Sequence, residues 1–451
     1  MPNIHKLKNG MTLITDYVNT VETVSVGMWN KVGARNERKE INGVAHLLEH
    51  MAFKGTKNRS AAQIAKEVEL VGNSHNAYTS REITAYYMSG LKENVELSID
   101  VISDILQFST FDSKELDKER GVILQEIGMY ADEPDSIVAD KFDELAYPDQ
   151  PMGRSILGTA EIIKSISRDE VEGFMKGFYN PKKMVFSVSG NFEEDKIIKL
   201  VEEKFQNLPH GDDNYIPKSS YVGGEYRQEK NLEQVKLLLG FEGVDIHSDL
   251  YYATRVYSTL LGSGMSSRLF QEIREKRGLV YSIYSSGDFF SDSGIFYVYA
   301  GTGHKEVKEL IPVLCDQLNI NANTFTEEEL TKTKAKFKVG ILKGEESIST
   351  RCRSNASSYL MHNKVRSPDE FISKIDSVQL EDLEKARIKI LDSNLTLSSI
   401  GPIENLEAAE LVKRRISEIF CCFSSKNINL VIKFIDIMCL YPTPINIFTK
   451  I

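Results

Sequence analysis

Cysteine and histidine are both scarce in this sequence. Its 451 residues include 8 histidines and five cysteines, the latter being Cys315, Cys352, Cys421, Cys422 and Cys439. The cysteines form no C-x-x-C pair, and none lies in the first 300 residues. This pattern argues against a disulfide framework and against a cysteine-based zinc site, and it fits a reducing compartment.

Targeting segments and long apolar runs are also missing. The first ten residues contain no apolar core of signal-peptide length. No stretch reaches the roughly 18 uninterrupted apolar residues of a membrane helix. We therefore expect a cytoplasmic protein without a membrane partner. Basic charge is not in excess either, because the formal charge is −10, which argues against nucleic acid as the main partner.

Two similar units follow one another along the chain. In the first, a strand at 85–90 precedes an apolar helix at 95–106 and a second helix opened by 111–116. In the second, the corresponding segments are 296–301, 307–318 and 325–330, at an offset of about 210 residues. This offset is far too long for a solenoid repeat. Because strands and helices do not alternate strictly, we predict an α+β protein made of two homologous α+β domains.

The domain bounds follow from composition. Residues 208–220 form a polar stretch rich in Pro, Gly and Ser, which is typical of linkers. We predict an N-terminal domain at 1–210, a linker at 211–222 and a C-terminal domain at 223–415. The tail at 416–451 is rich in Ile, Phe and Cys and contains no Gly or Ala. It is either an amphipathic added helix or a frameshifted or read-through end, and no function is assigned to it.

The sequence His46-Leu-Leu-Glu49-His50 is the central motif. If this segment is a helix, Val44, Leu47, Leu48 and Met51 form an apolar stripe, and the two imidazoles and the carboxylate project from the other face. Two imidazoles one turn apart can bind one zinc ion, with Glu49 beside the water position. This is the H-x-x-E-H pattern of inverzincins. The alternative is two surface histidines and an acid.

A zinc site with two histidines needs a third protein ligand, and Glu126 is the best candidate. It lies on a helix predicted from Asp112 or Ser113 to the break at 132–134. Glu119 and Glu126 border the predicted apolar face of that helix, which comprises Leu116, Ile123, Ile127 and Tyr130. We predict that Glu126 binds the metal and that Glu119 orients a ligand or the water. The alternative is an exposed face with ordinary salt bridges.

The repeat assigns this chemistry to one unit. In the register of the two copies, Glu119 and Glu126 fall opposite Thr333 and Gly340, and His46 and His50 have no counterpart. We therefore expect the first domain to be catalytic and the second to lack metal ligands.

With these motifs, the chain resembles the pitrilysin/insulinase-type zinc peptidases over residues 3–412. It is similar to bacterial members related to the β subunit of mitochondrial processing peptidase. Further segments that carry the resemblance are 76–82, 153–158 and 261–271. The resemblance implies zinc, at one ion per chain, endoproteolysis of unfolded peptides, and two domains that form half of a peptide-enclosing chamber.

The resemblance also implies roles for residues outside the metal site. Arg274 and Tyr281 match a second-half pair that family members direct at the substrate backbone and the developing oxyanion, where they would stabilise the tetrahedral intermediate. Asn76 and Ala77 match the edge strand that pairs with the substrate. Plain structural roles are the alternative for all four. Asp140 matches one of two acids that grip an upstream arginine in processing peptidase, but the other position is Ser136, so a strict arginine preference is not expected.

The expected function is that of a zinc endopeptidase in which Glu49 is the general base for zinc-bound water. Arg274 and Tyr281 lie on the second unit. In family members of this length, the second unit of a partner chain closes over the zinc. The resemblance therefore implies a homodimer or a heterodimer with a related chain. The main alternative is a non-catalytic peptide-binding or structural subunit. A zinc hydrolase of non-peptide amides is the other, and no residue favours it.

Overall fold

The computed structural model describes residues 1–212 and 216–424. Part of the predicted linker and residues 425–451 of the predicted tail lie outside the described residues. The strands are β1 (Asn3–Lys6), β2 (Thr12–Tyr17), β3 (Thr23–Asn30), β4 (Ser74–Thr79), β5 (Thr84–Leu91), β6 (Met184–Gly190), β7 (Gly224–Glu229), β8 (Val235–Glu242), β9 (Val280–Phe289), β10 (Gly294–Thr302) and β11 (Leu395–Gly401).

Helices make up the larger part of the regular structure. They are α1 (Val44–Ala52), α2 (Ala61–Leu70), α3 (Val95–Gln107), α4 (Ser113–Asp132), α5 (Pro134–Ala146), α6 (Ala160–Ser165), α7 (Arg168–Phe178), α8 (Glu194–Lys204), α9 (Tyr251–Gly262), α10 (Val307–Asn319), α11 (Glu327–Glu345), α12 (Ile348–His362), α13 (Pro368–Asp376), α14 (Leu380–Leu391) and α15 (Ala409–Ser424). A π-helical turn spans Phe270–Glu275.

Five strands of the six-stranded first sheet have the topology of the five-stranded second sheet, which confirms the predicted duplication. The first sheet has the order β1-β2-β6-β3-β5-β4 and the second has the order β7-β11-β8-β10-β9. In each sheet the strand that opens the repeat pairs in parallel with the strand that closes it, as β2 does with β6 and β7 with β11. The next pairings are antiparallel in both sheets. The fold is therefore a duplicated α+β unit.

Each sheet is covered by helices of its own unit on one face and by a helix of the other unit on the second face. The helix α12 of the second unit packs on β2, β3 and β6 of the first, where Cys352 and Ala356 join a core with Trp29. In the reciprocal contact, α5 packs on β8 and β11, and Phe142 joins a core with Leu238. Because this exchange buries apolar side chains of both units, it fixes one unit against the other.

A buried ion cluster reinforces the junction. The guanidinium of Arg35 is only 5% exposed, and it binds Glu82 of its own unit at 2.7 Å and Asp292 of the second unit at 2.5 Å. It also donates to the carbonyl of Pro217 in the connecting segment. A buried charge is tolerated when opposite charges are paired with it in this way.

The predicted helix bounds agree with the structure to within one or two residues, but one face assignment is wrong. Leu116 and Ile123 of α4 are buried, and Ile127 packs against the core. Tyr130, predicted on the same apolar face, is 51% exposed because it lies in the last turn of α4, beyond the core. Within the residues that the structure describes, no helix has the length and apolar character needed to cross a membrane.

Candidate active site

The helix α1 is anchored by its apolar stripe. Val44, Leu47, Leu48 and Met51 are at most 1% exposed, as the spacing predicts. The helix begins after Gly43, whose φ of 96° is the left-handed region that favours glycine. A side chain there would also lie within 3 Å of the Leu157 carbonyl oxygen. The opposite face of α1 is thereby held towards α4.

A buried carboxylate caps the start of this helix. Glu37 accepts hydrogen bonds from the backbone N–H groups of Gly43 and Ala45 and from the side chain of Asn42. These N–H groups belong to the first turn, where they have no partner within the helix. Burial raises the pKa of Glu37 to about 7, although the three hydrogen bonds and the nearby Arg154 lower it.

The two imidazoles of α1 and the carboxylate of Glu126 on α4 come together. The rings of His46 and His50 have centroids 4.6 Å apart. The Nε2 atoms of His46 and His50 lie 3.9 and 4.0 Å from the same carboxylate oxygen of Glu126. One ligand atom from each of the three residues can be chosen so that all lie within 4.8 Å of one another.

These distances fit a zinc ion. Ligand atoms about 2.0–2.1 Å from a tetrahedral zinc are separated by about 3.4 Å, so a small inward movement of each side chain closes the site. The histidines are half-buried, and burial together with His50 lowers the pKa of His46 to about 4. A neutral imidazole is the form that binds metal. The donor set therefore suits zinc, with a fourth position left for water.

Glu119 lies behind His50. Its Oε2 is 3.1 Å from Nδ1 of His50, and its Oε1 is 2.8 Å from Nζ of Lys54. The residue is 5% exposed. A carboxylate on the second nitrogen of a ligand imidazole fixes the tautomer and the ring orientation. Of the two roles that the sequence left open for Glu119, orienting a ligand is the one this contact supports.

Glu49 occupies the position between the imidazoles along α1, and it accepts a hydrogen bond of 2.6 Å from the hydroxyl of Thr79. The pKa of Glu49 is raised overall, mainly by burial and to a smaller extent by the nearby charge of Glu126. The hydrogen bond from Thr79 and the nearby His50 lower this pKa in part. A carboxylate with a raised pKa is a better proton acceptor at neutral pH. Thr79 was not singled out from the sequence, because no local pattern links it to a residue 30 positions away.

The strand β4 forms one edge of the first sheet and pairs only with β5 in the described residues. Asn76 is exposed, and its side-chain oxygen accepts from the N–H of Ala77 at 2.8 Å. Because the same strand ends at Thr79, its free edge runs next to α1. The predicted substrate strand therefore lies at the candidate site.

Arg274 and Tyr281 are not brought to this cluster within one chain. Arg274 lies in the π-helical turn over the ring of Phe270, at 4.6 Å. Tyr281 is 70% exposed at the start of β9. Within the described residues, neither has a hydrogen bond or ion pair to the histidines or to Glu126. Asp140 is exposed on α5 and likewise has no contact with the cluster.

Gly158 ends the segment 153–158, one of those that carry the family resemblance, and its conformation shows why a glycine is needed there. It has a φ of 74°, and a side chain there would lie 2.3 Å from the carbonyl oxygen of Asn42. The loop that contains Gly158 therefore packs directly against the residues that start α1. Because this contact joins residues far apart in the chain, no local sequence pattern indicates it.

Known proteins resemble this chain over most of its length. Residues 12–160 match the family described as insulinase (peptidase family M16), and residues 165–337 match the peptidase M16 inactive domain. A Rickettsia felis protein named as an uncharacterized zinc protease is 38% identical over 89% of this chain and 97% of its own length. A Bacillus subtilis protein with a similar name is 35% identical over 88% of this chain and 98% of its own.

Solved structures show the same fold. A protease from Helicobacter pylori superposes with a TM-score of 0.82 at 24% identity, covering 89% of this chain and 99% of the other. A peptidase M16 inactive domain from Pseudomonas fluorescens superposes with a TM-score of 0.83 at 18% identity, covering 90% and 100%.

Proposed function

Because this chain belongs to the M16 (insulinase) family of peptidases, we propose that it is a zinc-dependent endopeptidase that cleaves unfolded peptides or presequence-like segments. The observation that carries the proposal is the convergence of His46, His50 and Glu126, with Glu49 on the same helix face. Two imidazoles and one carboxylate leave a coordination position open, which hydrolysis requires and a purely structural zinc site does not.

The roles of the residues follow from their contacts. His46, His50 and Glu126 would hold the ion, and zinc when bound lowers the pKa of a water molecule towards about 7 and polarises a carbonyl. Glu49 takes the proton of the attacking water and passes it to the leaving amine. Thr79 orients the carboxylate of Glu49 through its hydrogen bond. Glu119 keeps Nε2 of His50 directed at the metal position by binding Nδ1.

Substrate binding uses the free edge of β4. An extended peptide can add to that edge through main-chain hydrogen bonds. The N–H of Ala77, which donates to the side chain of Asn76, would then donate to the peptide instead. Asp140, exposed on α5, would face basic side chains of the substrate. A main-chain binding mode favours unfolded peptides, because a folded segment cannot extend along the strand.

The proposal includes a dimer. Arg274 and Tyr281 have no contact with the metal position of their own chain, so we assign them to the site of a second copy or of a related chain. There the two side chains would stabilise the oxyanion of the tetrahedral intermediate. We also propose a cytoplasmic location, which suits the free, buried thiols of Cys315 and Cys352.

A non-catalytic subunit is the second candidate. The match of residues 165–337 to an inactive domain favours it. However, a subunit that only holds peptides has no need for Glu49, and this chain retains the full H-x-x-E-H sequence and both acids of α4.

Glu49→Gln separates these functions. The variant should keep its zinc and its fold but lose cleavage of an unfolded, reduced protein by at least about 10³-fold, measured by mass spectrometry of the products. Glu69→Gln is the matched control, because Glu69 is an exposed glutamate on the neighbouring helix α2. Equal cleavage by wild type and Glu49→Gln would refute the peptidase proposal, and no cleavage by zinc-loaded wild type would refute a homodimeric peptidase.

A further inference from the structure

The second unit contains a cavity at the place that corresponds to the metal site. The helix α9 lies between β8 and β9 as α1 lies between β3 and β4, and it packs against α11 as α1 packs against α4. A cavity of about 920 Å³ opens along α9 and α11 and extends to α12 and α13. Its wall has no histidine pair on α9 but carries the cationic side chains of Arg255, Lys336 and Arg366.

Arg255 projects from α9 into an aromatic cage. Its guanidinium carbon lies 5.2–6.0 Å from the ring centres of Tyr251, Phe289, Phe337 and Phe371. Arg366 lies 5.9 and 5.7 Å from the rings of Tyr251 and Phe371, so the two guanidiniums share two rings. Aromatic faces stabilise each cation, but they do not remove the repulsion between two like charges.

Neither guanidinium has a carboxylate partner in the described part of the chain. Arg255 and Arg366 donate to the hydroxyls of Tyr251 and Tyr252 respectively. Nε of Arg366 is buried without an acceptor. Lys336, on the same cavity wall, donates to the carbonyl of Ser263 and to no carboxylate of the described residues. Three cationic groups thus line one cavity without an acid bound to any of them.

The acids of the wall do not neutralise these groups. Glu345 is bound to Arg351, which also pairs with Asp16 of the first unit. Asp369 is exposed at the start of α13. Nε2 of His362, at the boundary with a neighbouring cavity, is buried and has no hydrogen-bond partner among the described residues. Burial and the charges of Arg366, His247 and Lys364 lower the pKa of His362 to about 4, so this imidazole adds no positive charge near pH 7.

We propose that this cavity binds the C-terminal carboxylate of a peptide, with the last side chain against the aromatic cage. Planar guanidiniums bind carboxylates through paired, charge-assisted hydrogen bonds. The rings of Phe337 and Phe371 and the side chains of Ile341 and Val365 give apolar contact beside that charge. The choice of a peptide as the ligand rests on the proposed function. The second unit, which lacks metal ligands, would thereby bind the C-terminal end of the peptide that the first unit cleaves.

The test compares two forms of one peptide. Acetyl-Ala-Ala-Ala-Phe with a free carboxylate and the same peptide as its C-terminal amide are titrated into zinc-loaded Glu49→Gln protein by calorimetry, so cleavage does not interfere. The free acid should bind at least about tenfold more tightly than the amide. Arg255→Gln and Arg366→Gln, each added to that background, should abolish most of this preference. Arg277→Gln is the matched control, because Arg277 pairs with Glu272 outside the cavity and the preference should survive.

Two results would overturn the proposal. One is equal affinity for the acid and the amide. The other is a preference that persists in both Arg255→Gln and Arg366→Gln, since the carboxylate would then lie elsewhere, for example at the metal. Arg255→Lys keeps the positive charge but cannot form the paired hydrogen bonds of a guanidinium, so it should lose part of the preference for the free acid. This variant replaces Arg255→Gln in the test if Arg255→Gln does not fold. Because binding is measured without turnover, the test can be carried out even if the wild type proves inactive. If the wild type cleaves peptides but does not prefer the free acid to the amide, only the proposed carboxylate site is refuted.

Discussion

Nδ1 of His50 lies 3.1 Å from the carboxylate of Glu119, while Nε2 of the same ring lies 4.0 Å from the carboxylate of Glu126. One imidazole is therefore held between two acids of α4 that lie two turns apart. The acid that is 5% exposed binds the nitrogen directed away from the metal position, and Glu126, the more exposed one, faces that position. The proposed zinc site therefore uses two glutamates on the same side of α4, one to bind the metal and one to orient His50.

Glu119→Gln should weaken zinc binding. The neutral amide keeps the shape but removes the charge that orients His50, so we expect zinc affinity to fall by about 10–100-fold. Competition with a chromogenic chelator measures this change. Glu115→Gln is the control, because Glu115 lies on the same helix and pairs with Lys118 at the protein surface. Unchanged affinity in Glu119→Gln would show that the contact with His50 has no part in metal binding.

Thr79→Val should shift the pH dependence of cleavage. The hydroxyl of Thr79 lowers the pKa of Glu49, so its removal raises that pKa further. Because Glu49 must be ionised to accept a proton, the acidic limb of the profile of kcat/KM against pH should move to higher pH. Ser80→Ala, at the next position and without a bond to Glu49, controls for disturbance of the strand. An unmoved acidic limb would contradict the assignment of Glu49 as the base.

Glu37 should make stability depend on pH. Its pKa is raised by burial from 4.5 to about 7, so the folded protein binds a proton more tightly than the unfolded chain. The free energy of unfolding of wild type, relative to Glu37→Gln, should therefore fall as pH rises from about 4.5 to 7, by about 3 kcal/mol. Urea unfolding of the metal-free proteins at several pH values measures it. Glu40→Gln, at a solvent-exposed position nearby, should follow wild type. A constant difference between wild type and Glu37→Gln would refute this role.

The parts of the site that the sequence predicted are those that depend on helical spacing. The stripe of Val44, Leu47, Leu48 and Met51 implies which face of α1 is buried, and therefore where His46, Glu49 and His50 project. The seven-residue spacing of Glu119 and Glu126 likewise puts both on one side of α4. The duplicated fold was also predictable, because the order of elements recurs at a fixed offset.

Contacts between distant segments were not predictable in this way. Glu37 caps α1, Thr79 binds Glu49, and Gly158 packs on Asn42, but none of these pairs has a local pattern. The exchange of α5 and α12 between the two sheets depends on tertiary packing, which periodicity does not specify. Tyr130 was assigned to the wrong face because the helical pattern continues one turn beyond the end of the core.

Mixing two inactive variants tests the proposed dimer. An Arg274→Ala/Tyr281→Ala double variant and Glu49→Gln are each expected to be inactive. If one chain completes the site of the other, randomly mixed homodimers should recover about a quarter of wild-type activity, because half of the dimers then contain one intact site. Cleavage assays after subunit exchange measure the recovery. If no activity returns although exchange occurs, the two side chains act within their own chain, or not at all.

The central claim is that one zinc ion is bound by His46, His50 and Glu126, and zinc content measured by mass spectrometry after dialysis tests it most directly. Wild type and His5→Ala should each retain about one zinc per chain, since His5 forms a similar pair with Glu194 but has no second imidazole. His46→Ala, His50→Ala and Glu126→Ala should each lose it. Full zinc in any of these three variants, or none in wild type, would contradict the account.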